Sequence, residues 1–177
     1  MKMIINLHKE QGCWSKNIIT DDIKFITSKR NIKKWINMCL KNVFPTARLK
    51  EIEHIVVDVN FVNKDTIIEY NCKFRGLNQI TNVLSFANNV IINKGRDTNG
   101  RVKFIHLGEM IICCDKIFQE AEEYHKTFID RYIHIFIHSV LHLLGYDHID
   151  NEERIQMEKL EEKILQQLGI YNPYYII

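Results

Sequence analysis

The chain has 177 residues, 46% hydrophobic and 26% charged, with a formal net charge of +2. These are the proportions of a globular protein, with length for one domain, residues 1 to 177, and a real core. The charge is too small to indicate nucleic-acid binding by itself, although a local basic groove is compatible with it. No apolar run approaches the roughly 20 residues that cross a bilayer. The start, MKMIINLHKE, lacks the apolar stretch of a secretory signal, so a cytoplasmic protein away from membranes is expected. Five scattered cysteines without a CxxC pair point to free, mostly buried thiols. Two prolines and seven glycines argue against a flexible linker.

In chain order, residues 3 to 8 (MIINLH) predict a short strand. From Ser28, a plausible cap, Ile32, Trp35, Ile36, Cys39, Leu40 and Val43 recur at helical spacing, and the helix should end before Pro45. His54 to Phe61 is alternating and β-branched, which predicts a strand. Asn63 can cap a helix through Tyr70, and Asn82 to Phe86 and Phe104 to Cys113 predict two further strands. The glycine- and asparagine-bearing segment between them, NNVIINKGRDTNGR, predicts a loop or hairpin. Asp115 can cap a helix to about Lys126, and another helix starts near Phe128 and stops at Gly145. Asp150 and Glu153 form a capping-box pattern before a helix with the apolar stripe Met157, Leu160, Ile164 and Leu168, stopped by Gly169. The expected fold is α+β, a mixed sheet of about four strands packed with helices, with a metal site on a C-terminal helix and the following turn.

The metal reading comes from HSVLHLLGYDH, residues 138 to 148. His138 and His142 lie four apart on a helix, on one face with Cβ atoms about 5–6 Å apart. Their imidazoles can meet one ion at about 2.0–2.1 Å. A third ligand at the next helical position would run on along the stripe, so the chain has to break out and return. Gly145 permits the left-handed backbone that ends a helix, and His148 follows three residues later. Three imidazoles leave one coordination position for water, whose pKa zinc lowers to about 7. Another divalent ion fits the same ligands, because affinity alone selects poorly. His134, one turn further back, is set aside as a ligand. The spacing matches the zinc-protease pattern HExxHxxGxxH, but Ser139 stands where that pattern has its glutamate. A serine cannot be the general base, which argues against a peptidase.

HSVLHLLGYDH resembles the HGxLHLxGYDH signature of the YbeY endoribonucleases, bacterial factors for ribosomal RNA maturation. YNCKFRGLNQITNVLSF, residues 70 to 86, is similar to that family's LNxxYRxxDxPTNVLSF, and LGEMIIC, residues 107 to 113, to its LGDIVIC. EAEEYH and the closing helix ending in ILQQLGI also fit, so the likeness covers about Val56 to Ile170. Ser139, Leu77, Asn78, Ile80, Glu109 and Tyr70 depart from the family's usual residues, and none is a metal ligand. The resemblance implies a zinc-dependent endoribonuclease hydrolysing single-stranded ribosomal RNA, in 3′-end maturation of small-subunit RNA and ribosome quality control. The small subunit or its assembly factors are the implied partners.

The resemblance also singles out Arg75 as the catalytic residue. A guanidinium fork fits two phosphate oxygens and stabilises the charge that phosphodiester cleavage concentrates there. Asp147 could orient an imidazole or cap the turn, with nothing to choose between them. Ser85 and Thr81 read as cleft-lining or, more simply, as strand hydrogen-bonders. Lys73, Lys94, Arg96, Arg101 and Lys103 could contact phosphates or form a solvated face. Two other classes compete: a metallopeptidase-like hydrolase, and a non-catalytic ribosome-assembly factor whose metal only staples its C-terminal helices.

Overall fold

The computed structural model describes residues 1–88, 102–147 and 150–171. Strand β1 (Lys2–Lys9) is followed by helices α1 (Thr20–Ile26), α2 (Lys29–Val43) and α3 (Thr46–Lys50). Then come β2 (Ile52–Phe61), α4 (Lys64–Arg75), β3 (Val83–Ala87) and β4 (Val102–Ile112). Helices α5 (Cys114–Glu123), α6 (Phe128–Leu143) and α7 (Asn151–Gln167) follow. The four strands make one mixed sheet in the order β1-β2-β4-β3, with β1, β2 and β4 parallel and β3 antiparallel to β4. This is the expected α+β architecture, with seven helices among the described residues.

Side chains alternate across a strand, so Val83, Met110 and Ile112 enter the main core while Leu84 and Ile111 face the other way. The main core joins the sheet to α2, α5, α6 and α7 around Trp35, Phe61, Tyr132 and Phe136. Their rings interlock, with centroids 5.3 Å apart for Trp35–Phe136 and 6.4 Å for Phe61–Tyr132. The opposite face of β3 and β4 is covered by α4 through Val62, Ile67, Leu84, Ile111 and Cys113. Beyond α4 that face carries polar pairs: Asp58 accepts from Asn6 Nδ2 at 2.7 Å and pairs with His106 Nε2 at 2.7 Å. Glu109 accepts from Asn60 Nδ2 at 2.6 Å.

Several start signals act as predicted. Asn63 Oδ1 accepts from Thr66 N at 3.0 Å, and Asp150 Oδ1 accepts from Glu153 N at 2.8 Å. Ser28 stands at the N-cap of α2 but makes no side-chain cap bond. Asp115 is not a cap. Helix α5 starts two residues earlier than a cap at Asp115 would place it, with Cys113 at the N-cap, and Asp115 Oδ1 accepts from the backbone N–H of Ser15 at 2.7 Å. Helix α4 runs five residues past the expected Tyr70, to Arg75, and stops at the left-handed Gly76 (φ 70°). The predicted loop or hairpin before β4 falls largely outside the described residues.

At Gly108 the ladder between β2 and β4 skips a residue: Val56 pairs with His106, then Val57 with Gly108. Gly108 has φ 137°, and a Cβ there would stand 2.1 Å from the Phe86 carbonyl oxygen. Only glycine admits that approach of β3 to β4.

Candidate active-site cleft

Strand β3, the end of α4 and the end of α6 enclose a cleft of about 560 Å³. Arg75, Thr81, Asn82, Ser85, His138, His142 and Asp147 are among its lining residues. Arg75 is the last residue of α4, exposed, and lines the cleft just before the turn at Gly76. The predicted pair His138 and His142 lies together on α6, their ring planes 85° apart. His148 lies outside the described residues, as do Lys94, Arg96 and Arg101. The chain turns out of α6 at Gly145, whose φ is 91°.

The hydrogen bonds of the two rings settle their tautomers. His142 Nδ1 lies 2.9 Å from the Tyr146 carbonyl, which can only accept, so Nδ1 carries the proton. His138 Nδ1 lies 2.7 Å from Glu161 Oε1 and donates to that carboxylate. In the neutral rings each Nε2 then presents its lone pair, and the two Nε2 atoms are 3.0 Å apart. Two lone pairs so close repel unless a cation, proton or metal, is shared. Metal–nitrogen bonds of about 2.0–2.1 Å can meet between atoms at that separation. The donor set therefore fits a divalent ion, and both imidazoles are already oriented by second partners, as metal-binding histidines normally are.

Glu161, on α7, has no counterpart in the sequence reading. Its side chain is 2% exposed, and its second oxygen lies 3.4 Å from His134 Nε2. Arg131 Nη1 is 3.3 Å from His134 Nδ1 and can only donate, so His134 carries its proton on Nε2 toward Glu161. His134 is thus engaged by Arg131 and Glu161, one turn from the cleft pair. The network continues, since Arg131 donates to Glu120 Oε2 through Nε at 3.1 Å and Nη2 at 2.7 Å. Glu120 also accepts from Asn82 Nδ2 at 3.0 Å. A largely buried polar chain thereby runs from Asn82 on one cleft wall, along α6 by Arg131 and His134, to His138 on the other. The signal for Glu161 was its position, four residues after Met157 and three before Ile164, in the buried stripe of α7.

Ser139 is fully buried, and its hydroxyl lies 2.9 Å from Ser85 Oγ, tying α6 to β3. The position where a zinc peptidase carries its base thus holds a buried serine committed to Ser85. Asp147 lines the cleft, but Tyr146 O and Glu161 are the atoms that meet Nδ1 of the two described imidazoles.

The family model described as "Endoribonuclease YbeY" matches residues 17–169. Among curated proteins, "Endoribonuclease YbeY" of Francisella tularensis subsp. novicida (strain U112) is 39% identical over 158 residues, covering 89% of this chain and 91% of its own. The protein of that name from F. tularensis subsp. tularensis (strain FSC 198) is also 39% identical, covering 89% and 88%. The solution structure of TM1509 from Thermotoga maritima is similar with a TM-score of 0.47 and 23% identity, over 94% of this chain and 92% of that one.

Proposed function

Since the chain belongs to the YbeY endoribonuclease family, we propose that it hydrolyses phosphodiester bonds in single-stranded ribosomal RNA. The biological task in this reading is maturation of the 3′ end of small-subunit RNA and ribosome quality control. The observation that carries the reading is the meeting of His138 and His142 Nε2 atoms, 3.0 Å apart, in the cleft that Arg75 lines. His138, His142 and His148 would hold one divalent ion, zinc first among candidates. When bound, zinc supplies Lewis acidity toward a phosphoryl oxygen and lowers the pKa of water to about 7.

The chain's own residues do the rest. Arg75 sets its guanidinium against the non-bridging phosphate oxygens and stabilises the charge that grows there. Glu161 and Tyr146 O hold the imidazole protons on Nδ1, which keeps both Nε2 atoms available as ligands. Asn82, anchored by Glu120, fixes the wall opposite the histidines.

The test pairs metal analysis with cleavage of a single-stranded ribosomal RNA fragment, with and without chelator. Wild-type protein should carry about one metal per chain and cut the RNA until chelated. His142→Ala should lose both metal and cleavage. Full metal content in that variant would contradict the ligand set. A metal-free variant that still folds and still supports ribosome maturation in cells would favour the non-catalytic assembly factor instead.

A further inference from the structure

Phe74 immediately precedes Arg75 on α4 and lines the same cleft, together with Phe86 of β3. The Phe74 side chain is large, apolar and 51% exposed. It does not stand alone. Phe86 meets it edge-to-face with centroids 4.9 Å apart, and Tyr70, one turn back, lies parallel within 9° at 5.9 Å. Lys73 brings its ammonium to 5.3 Å from the Phe74 ring centre. Three rings thus form a row that reaches the cleft at Phe74 and Phe86, backed by α4 and β3, with positive charge on either side of Phe74 in the sequence.

A structural role accounts for part of this row. Tyr70 and Phe86 are half-buried and pack on the small core beneath α4. It does not account for Phe74, which leaves half its surface in water at the entrance to a site that binds a polyanion. Single-stranded nucleic acids are held by a positive groove along the backbone and by aromatic rings on which bases stack. Arg75 and Phe74 provide one of each on adjacent residues. The cleft, about 560 Å³, is in the size range of ligand-binding pockets.

We infer that Phe74, supported by Phe86 and Tyr70, is a stacking platform for a nucleobase next to the phosphate that Arg75 engages. The inference rests on the proposed RNA substrate. The platform reads a π-face and not a base edge, so it selects unpaired strands with little regard to sequence. A base locked in a duplex is not available to it, which makes Phe74 a determinant of single-strand preference.

The test uses short single-stranded RNAs carrying 2-aminopurine at successive positions, titrated with the full chain in chelator. Wild type should quench emission at one or two neighbouring positions. Phe74→Leu should lose that local quench and bind about 5- to 150-fold more weakly, the range of one lost base stack. Phe74→Trp should keep both. Equal thermal midpoints for the variants establish that the fold is intact. Unchanged affinity and quenching in Phe74→Leu overturn the platform. Cleavage of unmodified RNA by the metal-loaded wild type is read separately. RNA binding with local quenching but no cleavage overturns the nuclease reading alone. A wild type that binds no RNA overturns both.

Discussion

Glu161 places one carboxylate between two imidazoles, 2.7 Å from His138 and 3.4 Å from His134. A buried carboxylate is stable only when paired and hydrogen-bonded, and these rings provide both partners. Glu161→Gln replaces one acceptor oxygen by an amide donor, so it cannot serve both rings. Metal affinity should fall about 10- to 100-fold, measured by competition with a chromogenic chelator. Wild-type affinity would show that His138 needs no such anchor. Arg75→Ala removes an exposed charge at the C-terminal end of α4. It should leave metal content and thermal midpoint unchanged while kcat/KM for RNA falls about 10²- to 10³-fold. At this scale the sequence points to His138, His142 and Arg75, which line one cleft, because the chemistry expected of them is tied to local spacing or to a motif. Glu161 reads as one more acid on an acidic helix, since its partners are 23 and 27 residues earlier in the chain.

The elements that position the cleft depend on one close approach. Gly108 lets the Phe86 carbonyl lie where a Cβ would be, 2.1 Å away, and both atoms belong to backbone that cannot swing aside. Gly108→Ala should therefore cost at least about 2–3 kcal/mol, seen as a lower urea midpoint, with the β3 wall of the cleft displaced in whatever folds. A wild-type midpoint would mean that β3 shifts freely. Asn63 and Asp150 were legible as caps because a side chain closing its own first turn is a local event. Asp115 looked the same and is not, because the Ser15 N–H, 100 residues away, claims its carboxylate. Helix α4 outran its polar sequence NCKFR because Asn71 is buried, with its Nδ2 donating to the Gln79 carbonyl at 2.8 Å. Helices α1 and α3, of 7 and 5 residues, are too short to show a period.

Across the molecule, Cys13, Cys39, Cys113 and Cys114 are buried while Cys72 is exposed. Burial raises the Cys13 thiol from 9.0 to about 11. It pushes Cys39, Cys113 and Cys114 upward as well, and the Tyr132 phenol with them. The unfolded chain releases these protons first, so their contribution to stability is complete below about pH 9. It is lost as pH rises through the folded values, at up to about 1.4 kcal/mol per pH unit for each group. Urea midpoints should hold steady from neutrality to about pH 9 and then fall. A flat profile to pH 11 would contradict protonated, desolvated thiols. Native protein should react with a thiol reagent at Cys72 alone. The clasp between α6 and α7 also has a consequence in time. Whenever α7 is undocked from α6, His138 lacks the Glu161 carboxylate that orients it. Orientation of that imidazole waits for α7 to fold onto α6, so the cleft is completed by one of the last docking events of the chain and not by α6 alone.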